Sequence, residues 1–288
     1  MGAGPGRVGK ELNMPFIEKL QQTAVKANSI ACMGMDPEIE RIPVRARSKE
    51  EKIVKFYTEL LEQVSAKIAA VKPNYAFFAQ YGFEGLNALK NVIVESRKRK
   101  LLVILDAKRG DIGKSSAAYA KEAFDFWGAD AVTVAPYMGW DSIAPFAEYC
   151  RKGKGVYVLA HTSNPGAEDL QHLKTGMEQV YEKTCEMIAR NWQPGVCAVA
   201  GATYIEELRK VQGAFSRSGK KVPLLVPGVG TQGANAAQVA QELQNKTIHR
   251  INSSSAINYA YEKYKTTDYA GAALRAVDEL NREIGRIS

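Results

Sequence analysis

Nowhere in this sequence is there an apolar run of about 18 residues, so no segment is expected to span a membrane. Cysteine is scarce. Cys32, Cys150, Cys185 and Cys197 stand far apart, which argues against a zinc site, a redox motif or a disulfide framework. A reduced, cytoplasmic protein is the simplest account. The opening MGAGPGRVGKELN lacks an apolar signal core, and Gly2 lacks the Ser or Thr that a myristoylation signal requires four residues on. Residues 1–12 are read as a flexible tail. Linkers, low-complexity blocks and internal repeats are also missing, so residues 13–288 are expected to form one domain.

What is present is ordinary globular material with a basic balance. A formal charge of +8 favours anionic partners. It does not imply nucleic acid, because the basic residues are dispersed. The one dense cluster, ESRKRK at 95–100, reads as the cationic end of a helix.

Short apolar runs bounded by Gly, Pro, Asn or Asp alternate with amphipathic stretches throughout. The runs are SIACMGM (29–35), AAVKP (69–73), LLVILD (101–106), DAVTV (130–134), GVYVLA (155–160), GVCAVA (195–200), VPLLVP (222–227) and TIHRIN (247–252). In the stretch between the first two runs, Ile53, Phe56, Tyr57, Leu60, Leu61 and Val64 recur at spacings of three and four, giving one buried helical face. Eight such units predict an α/β fold, a closed (β/α)8 barrel, with an open doubly wound sheet as the alternative. A leading helix near 14–27 is expected to cap the bottom.

In such barrels chemistry sits where strands end. Here those ends carry Asp36, Lys72, Asp106 with Lys108, the run His161 to Asn164, PGVGTQG and NSSSA. GVGTQG at 228–233 fits a dinucleotide-binding pattern, but it falls in the seventh unit and no acid follows at the next strand's end. Gly228, Gly230 and Gly233 are better read as letting the backbone approach a phosphate. The segment LLVILDAKRGDIGKS crowds charges of both signs at a strand mouth, which is costly unless they pair. Asp106 and Lys108, two apart, are expected to face the same way on an extended segment, with Arg109 pointing elsewhere. His161, His172 and His249 are read as packing or surface residues.

LDAKRGDIGKSS resembles the Asp-x-Lys-x-x-Asp signature of the orotidine 5′-phosphate decarboxylase family, in the form of its longer, second type from bacteria and archaea. VKPNYAFFAQYG, TVAPYMGWDSIAPF, LAHTSNPGAEDLQ and LLVPGVGTQGA resemble further blocks of that family in the same order. The resemblance implies a homodimeric barrel that converts orotidine 5′-phosphate to UMP and CO2 without metal or organic cofactor. It implies a charged array of Lys72, Asp106, Lys108 and, from the partner subunit, Asp111. Asp36 would hold the ribose hydroxyls with Lys72. Ile112 and Ser115 would cross the dimer interface, Ser163 would read the pyrimidine edge, Gln232 would span pyrimidine and phosphate, and Pro227 would lie over the base. Gly228, Gly230, Ser254 and Ser255 complete the expected binding set.

The array suits the reaction. Loss of CO2 from C6 leaves an electron pair in the ring plane, and a fixed ammonium, Lys108, can stabilise it and then protonate it. The sequence departs from the family at Ser255, where a phosphate-gripping Arg is expected, and at Ala135, where Asn is expected. Arg250, upstream, is expected near the strand's other end. Two other readings follow: a phosphate-site variant with weak or no turnover, and a Mg²⁺-dependent relative of the 3-keto-gulonate-phosphate decarboxylase or hexulose-phosphate synthase type. The latter needs an acid where this chain has Lys72.

Overall fold

A computed structural model describes residues 14–229 and 235–287. The expected tail and Gly230, Gln232 and Gly233 lie outside the described residues. The barrel strands are β1 (Ala31–Met35), β2 (Ala70–Pro73), β3 (Leu102–Arg109), β4 (Ala131–Val134), β5 (Gly155–His161), β6 (Val196–Ala200), β7 (Leu224–Val226) and β8 (Arg250–Ser253). Each pairs in parallel with the next, and β8 closes on β1 through Ala31↔Ile251 and Cys32↔Asn252. The sheet is therefore the expected closed barrel, not the open alternative.

Side chains alternate along each strand, which splits the apolar residues into two layers. Cys32, Ala70, Leu102, Ile104, Ala131, Tyr157, Cys197, Val199 and Leu225 fill the barrel interior. Their neighbours Met33, Val71, Val103, Leu105, Val132, Val158, Ala198 and Val226 belong to the outer core beneath the helices. Both faces are buried, which is why these runs are continuously apolar rather than alternating.

Helix α1 (Phe16–Ala27) sends Phe16 and Leu20 into the interior cluster from below. The Phe16 ring meets Tyr157 edge-on, with centroids 6.1 Å apart. Gly155 leaves room for it, since a Cβ there would stand 2.4 Å from the ring. The fully buried Arg250 ties β8 to this plug, donating to the Leu20 carbonyl at 2.6 Å and to Thr23 Oγ1 at 2.7 Å. That places Arg250 at the end of the barrel opposite the strand mouths, as expected.

Helix α2 (Lys49–Val64) buries all six predicted apolar residues. Ser48 caps it by accepting the Glu51 N–H at 3.1 Å. Helix α3 (Gly82–Lys98) ends in the basic cluster, with Arg97 and Lys98 in its last turn. Two strands lose half of their apolar runs, three residues each. Pro223 and Pro227 have no N–H to give, so β7 is confined between them. Lys246–Ile248 turn as a 3₁₀ segment, so β8 begins only at Arg250. A hairpin pairing Lys174–Thr175 with Glu178–Gln179, in the β5–β6 connection, had no signal in the sequence.

Candidate active site

The inward period of each strand continues past the apolar layer and turns polar at the carboxyl ends. Lys72 follows Ala70, Asp106 follows Ile104, and Thr133 follows Ala131, each two residues on. The side chains converge because the strands are closed in register. A cavity of about 260 Å³ opens above them, lined by Lys72, Asp106, Lys108 and Thr133 on one side and by Ser163, Asn164, Leu225 and Pro227 among others opposite.

Asp106 is the centre of the charged group. Its Oδ2 accepts from Lys72 Nζ at 2.6 Å, and its Oδ1 accepts from Lys108 Nζ at 2.7 Å and from Thr133 Oγ1 at 3.0 Å. Burial alone would raise the Asp106 pKa, but the two ammoniums outweigh it and hold the carboxyl far below the usual carboxylate range. Lys72 is buried too. Desolvation would lower its pKa, yet Asp106 and Asp36 together leave it raised. Both partners thus remain charged at neutral pH.

Lys108 departs from the simple extended geometry expected of it. Ladder pairs run Leu105↔Val132 and then Arg109↔Val134, so the third strand bulges. Within the bulge Lys108 sits at φ 44°, in the left-handed region. Its backbone N–H donates to Thr133 Oγ1 at 2.9 Å. The Lys108 side chain is 51% exposed in the single chain. Arg109 does point elsewhere, as expected. It pairs with Glu122 at 2.8 Å and lies over the rings of Tyr75 and Tyr119.

Asp36 is largely buried at the end of β1, and its Oδ1 has no hydrogen-bond partner among the described residues. Burial raises its pKa, with Lys72 and Ser254 opposing. Asn252 Oδ1 is a second buried acceptor without a partner there. Ser254 approaches β1 closely only because residue 34 is glycine: a Cβ on Gly34 would lie 1.9 Å from Ser254 Oγ. Ser255 opens the short helix Ser255–Asn258. Ser163 stands against Gly201, where a Cβ would meet the Ser163 backbone at 2.8 Å. Gly228 has φ 99°, a conformation suited to glycine. Gly230 and Gln232 are outside the described residues.

Of the expected residues, Asp36, Gly228, Ser254 and Ser255 lie at strand ends beside the cavity without lining it, and Asp111, Ile112 and Ser115 are not brought to it within one chain. Asp111 accepts from the Ile112 N–H at 2.8 Å, and Ile112 is 57% exposed. Ser115 is exposed on helix α4 (Gly113–Lys121). Conversely, Thr133, Gly34 and Gly201 were missed. Thr133 could have been found by counting two residues on from Ala131. The glycines' roles depend on contacts with distant segments.

The histidines lie off the cavity wall. His161 Nε2 meets His172 Nε2 at 2.9 Å, amid the rings of Tyr181 and Tyr204. His249 is buried, accepting the Leu224 N–H at 2.9 Å on Nδ1 and bonding the Gln244 carbonyl at 2.7 Å through Nε2.

Comparison with known proteins agrees with this fold. Residues 31–262 match the profile of the orotidine 5′-phosphate decarboxylase / HUMPS family. A protein of Aromatoleum aromaticum named orotidine 5′-phosphate decarboxylase is 38% identical over 278 residues, covering 95% of this chain and 99% of its own. One of that name from a Janthinobacterium species is 39% identical over 277 residues, covering 94% and 100%. The solved structure of Leishmania donovani OMP decarboxylase superposes with a TM-score of 0.77 at 34% identity, covering 94% of this chain and 99% of that one. This chain belongs to the orotidine 5′-phosphate decarboxylase / HUMPS family.

Proposed function

We propose that this protein is an orotidine 5′-phosphate decarboxylase that acts as a homodimer without metal or organic cofactor, with Lys108 as its proton donor. The observation that carries the reading is the run of alternating charges Lys72–Asp106–Lys108 at the mouth of the barrel. With the substrate's pyrimidine in the cavity, the bond from C6 to the carboxyl carbon breaks and its electron pair stays on C6. The Lys108 ammonium stabilises that pair and transfers a proton to it, giving UMP and CO2. The half-exposed side chain then recovers a proton from solvent. Asp106 holds the ammonium and is itself held by Lys72, so the charges are placed before the substrate arrives.

Ser163 and Pro227, both on the cavity wall, contact the base in this reading. The unpartnered Asp36 Oδ1 suits a ribose hydroxyl donor. The phosphate lies at the mouths of β7 and β8, by Gly228, Gly230, Gln232, Ser254 and Ser255. Asp111 reaches Lys108 of the partner subunit, and Ile112 and Ser115 pack at that interface. Their exposure in a single chain is in keeping with this role. The described cysteines are all free and buried, as suits a reducing cytoplasm.

The Mg²⁺-dependent reading is disfavoured by Lys72, whose ammonium occupies the second-strand position that an acid would need. A continuous absorbance assay with orotidine 5′-phosphate tests the proposal. Steady conversion that is unchanged by EDTA is expected. Absence of turnover would leave the weak-binding variant as the reading, and activity abolished by EDTA would favour the metal-dependent one.

A further inference from the structure

We propose that Thr133 is a positioning residue for decarboxylation, setting the place of the Lys108 ammonium from both ends. The inference rests on the reading of Lys108 as proton donor. Thr133 is 2% exposed, and its hydroxyl has one hydrogen to give. A carboxylate only accepts, so that hydrogen goes to Asp106 Oδ1 at 3.0 Å. The oxygen's lone pair then takes the Lys108 N–H at 2.9 Å. One side chain therefore fixes the lysine's backbone and the carboxylate that anchors its head.

Both ends need fixing. Four steps along β3, from Leu105 to Arg109, answer two along β4, from Val132 to Val134. The ordinary ladder is lost there, and the Lys108 N–H is met by the Thr133 side chain instead. Left-handed backbone is unfavourable for a lysine and persists only where surrounding contacts impose it. Beyond the backbone, the Lys108 side chain is 51% exposed, and Asp106 supplies its ion pair among the described residues. Removing the hydroxyl frees the bulge to relax and loosens Asp106 at the same time.

Thr133→Val keeps the shape and the strand propensity while deleting both bonds. We expect kcat for orotidine 5′-phosphate to fall at least tenfold, with KM and the Kd for UMP changed less than about threefold, since the cavity wall is otherwise intact. Thr133→Ser restores the hydroxyl and is expected to recover most of the loss. A general structural defect would lower UMP affinity and would not be rescued by serine. Backbone amide exchange at Lys108 gives a readout independent of turnover, with protection in the parent and at least tenfold faster exchange in Thr133→Val. A Val variant with unchanged kcat, a Ser variant as impaired as Val, or equal protection of the Lys108 amide in parent and Val would each overturn the proposal. A parent enzyme that fails to turn over would instead overturn the functional reading, with the exchange comparison still deciding the role of Thr133. If Thr133→Val does not fold, Thr133→Ala serves in its place.

Discussion

Single residues carry the chemistry, and their effects are separable. Lys108→Ala removes the ammonium but leaves the rest of the cavity wall and the Lys72–Asp106 pair in place. Decarboxylation should fall to an undetectable rate in the absorbance assay, while UMP binding remains measurable by calorimetry. Normal turnover in that variant would eliminate the proposed proton donor. Ser255 supports a second prediction. A serine offers one short donor where a guanidinium offers a charged fork. Ser255→Arg should raise kcat/KM for orotidine 5′-phosphate at least tenfold, corresponding to about 1.4 kcal/mol or more of transition-state binding. Arg250 does not already fill that role, because its guanidinium is spent on α1 at the far end of the strand.

Elements position these residues through close approaches that only glycine permits. At Gly34 an added Cβ would fall 1.9 Å from Ser254 Oγ and 2.8 Å from Ser254 Cβ, so rotating the serine does not relieve the clash. Gly34→Ala should therefore displace the β8–helix junction. The expected outcome is a rise in KM for the nucleotide together with a lower Tm, measured on the same preparation. An unchanged KM would place the phosphate away from Ser254. The β3 bulge is the converse case, where a bulky residue holds a conformation that its neighbours impose. There the geometry comes from the side chain on β4, not from any preference of lysine.

The assembled molecule adds two expectations. If Asp111 serves the partner's site, Asp111→Ala and Lys108→Ala chains are each inactive alone but complement when mixed. Random pairing makes half the dimers mixed, each with one intact site, so about a quarter of parental activity should return. No recovery would place Asp111 in its own chain's site or in none. Stability should also depend on pH through His249. Burial pushes its pKa down to about 4 from an ordinary 6.5. The unfolded chain therefore binds more protons in that window, and stability falls as pH drops from 6.5 towards 4. For a fully buried group this shift corresponds to roughly 3 kcal/mol. His161, also lowered to about 4, acts in the same direction. Urea midpoints should decline across this range, and less steeply in His249→Asn. An identical slope in that variant would assign the effect elsewhere.

The barrel itself was legible because its cause is local. Each strand is a short apolar run between breakers, and each helix shows its own period of three and four, as Ile53 to Val64 illustrate. The charged residues were legible too, since Lys72, Asp106 and Lys108 stand where apolar runs stop. Strand ends were read less well where proline or a 3₁₀ turn trimmed β7 and β8.

By itself, then, the order of residues determined the count of barrel strands, the buried faces and the set of charges at the barrel mouth, because periodicity and abrupt polarity act over a few residues. Tertiary structure decided how those charges meet. The left-handed turn at Lys108 is held by a hydroxyl 25 residues away on the next strand, and Asp106 meets Lys72 across 34 residues. Ser254 comes against β1 only through the closure of β8 onto it. Contacts of this kind follow from barrel register, which no single segment encodes, because register is set jointly by every strand that must close the ring.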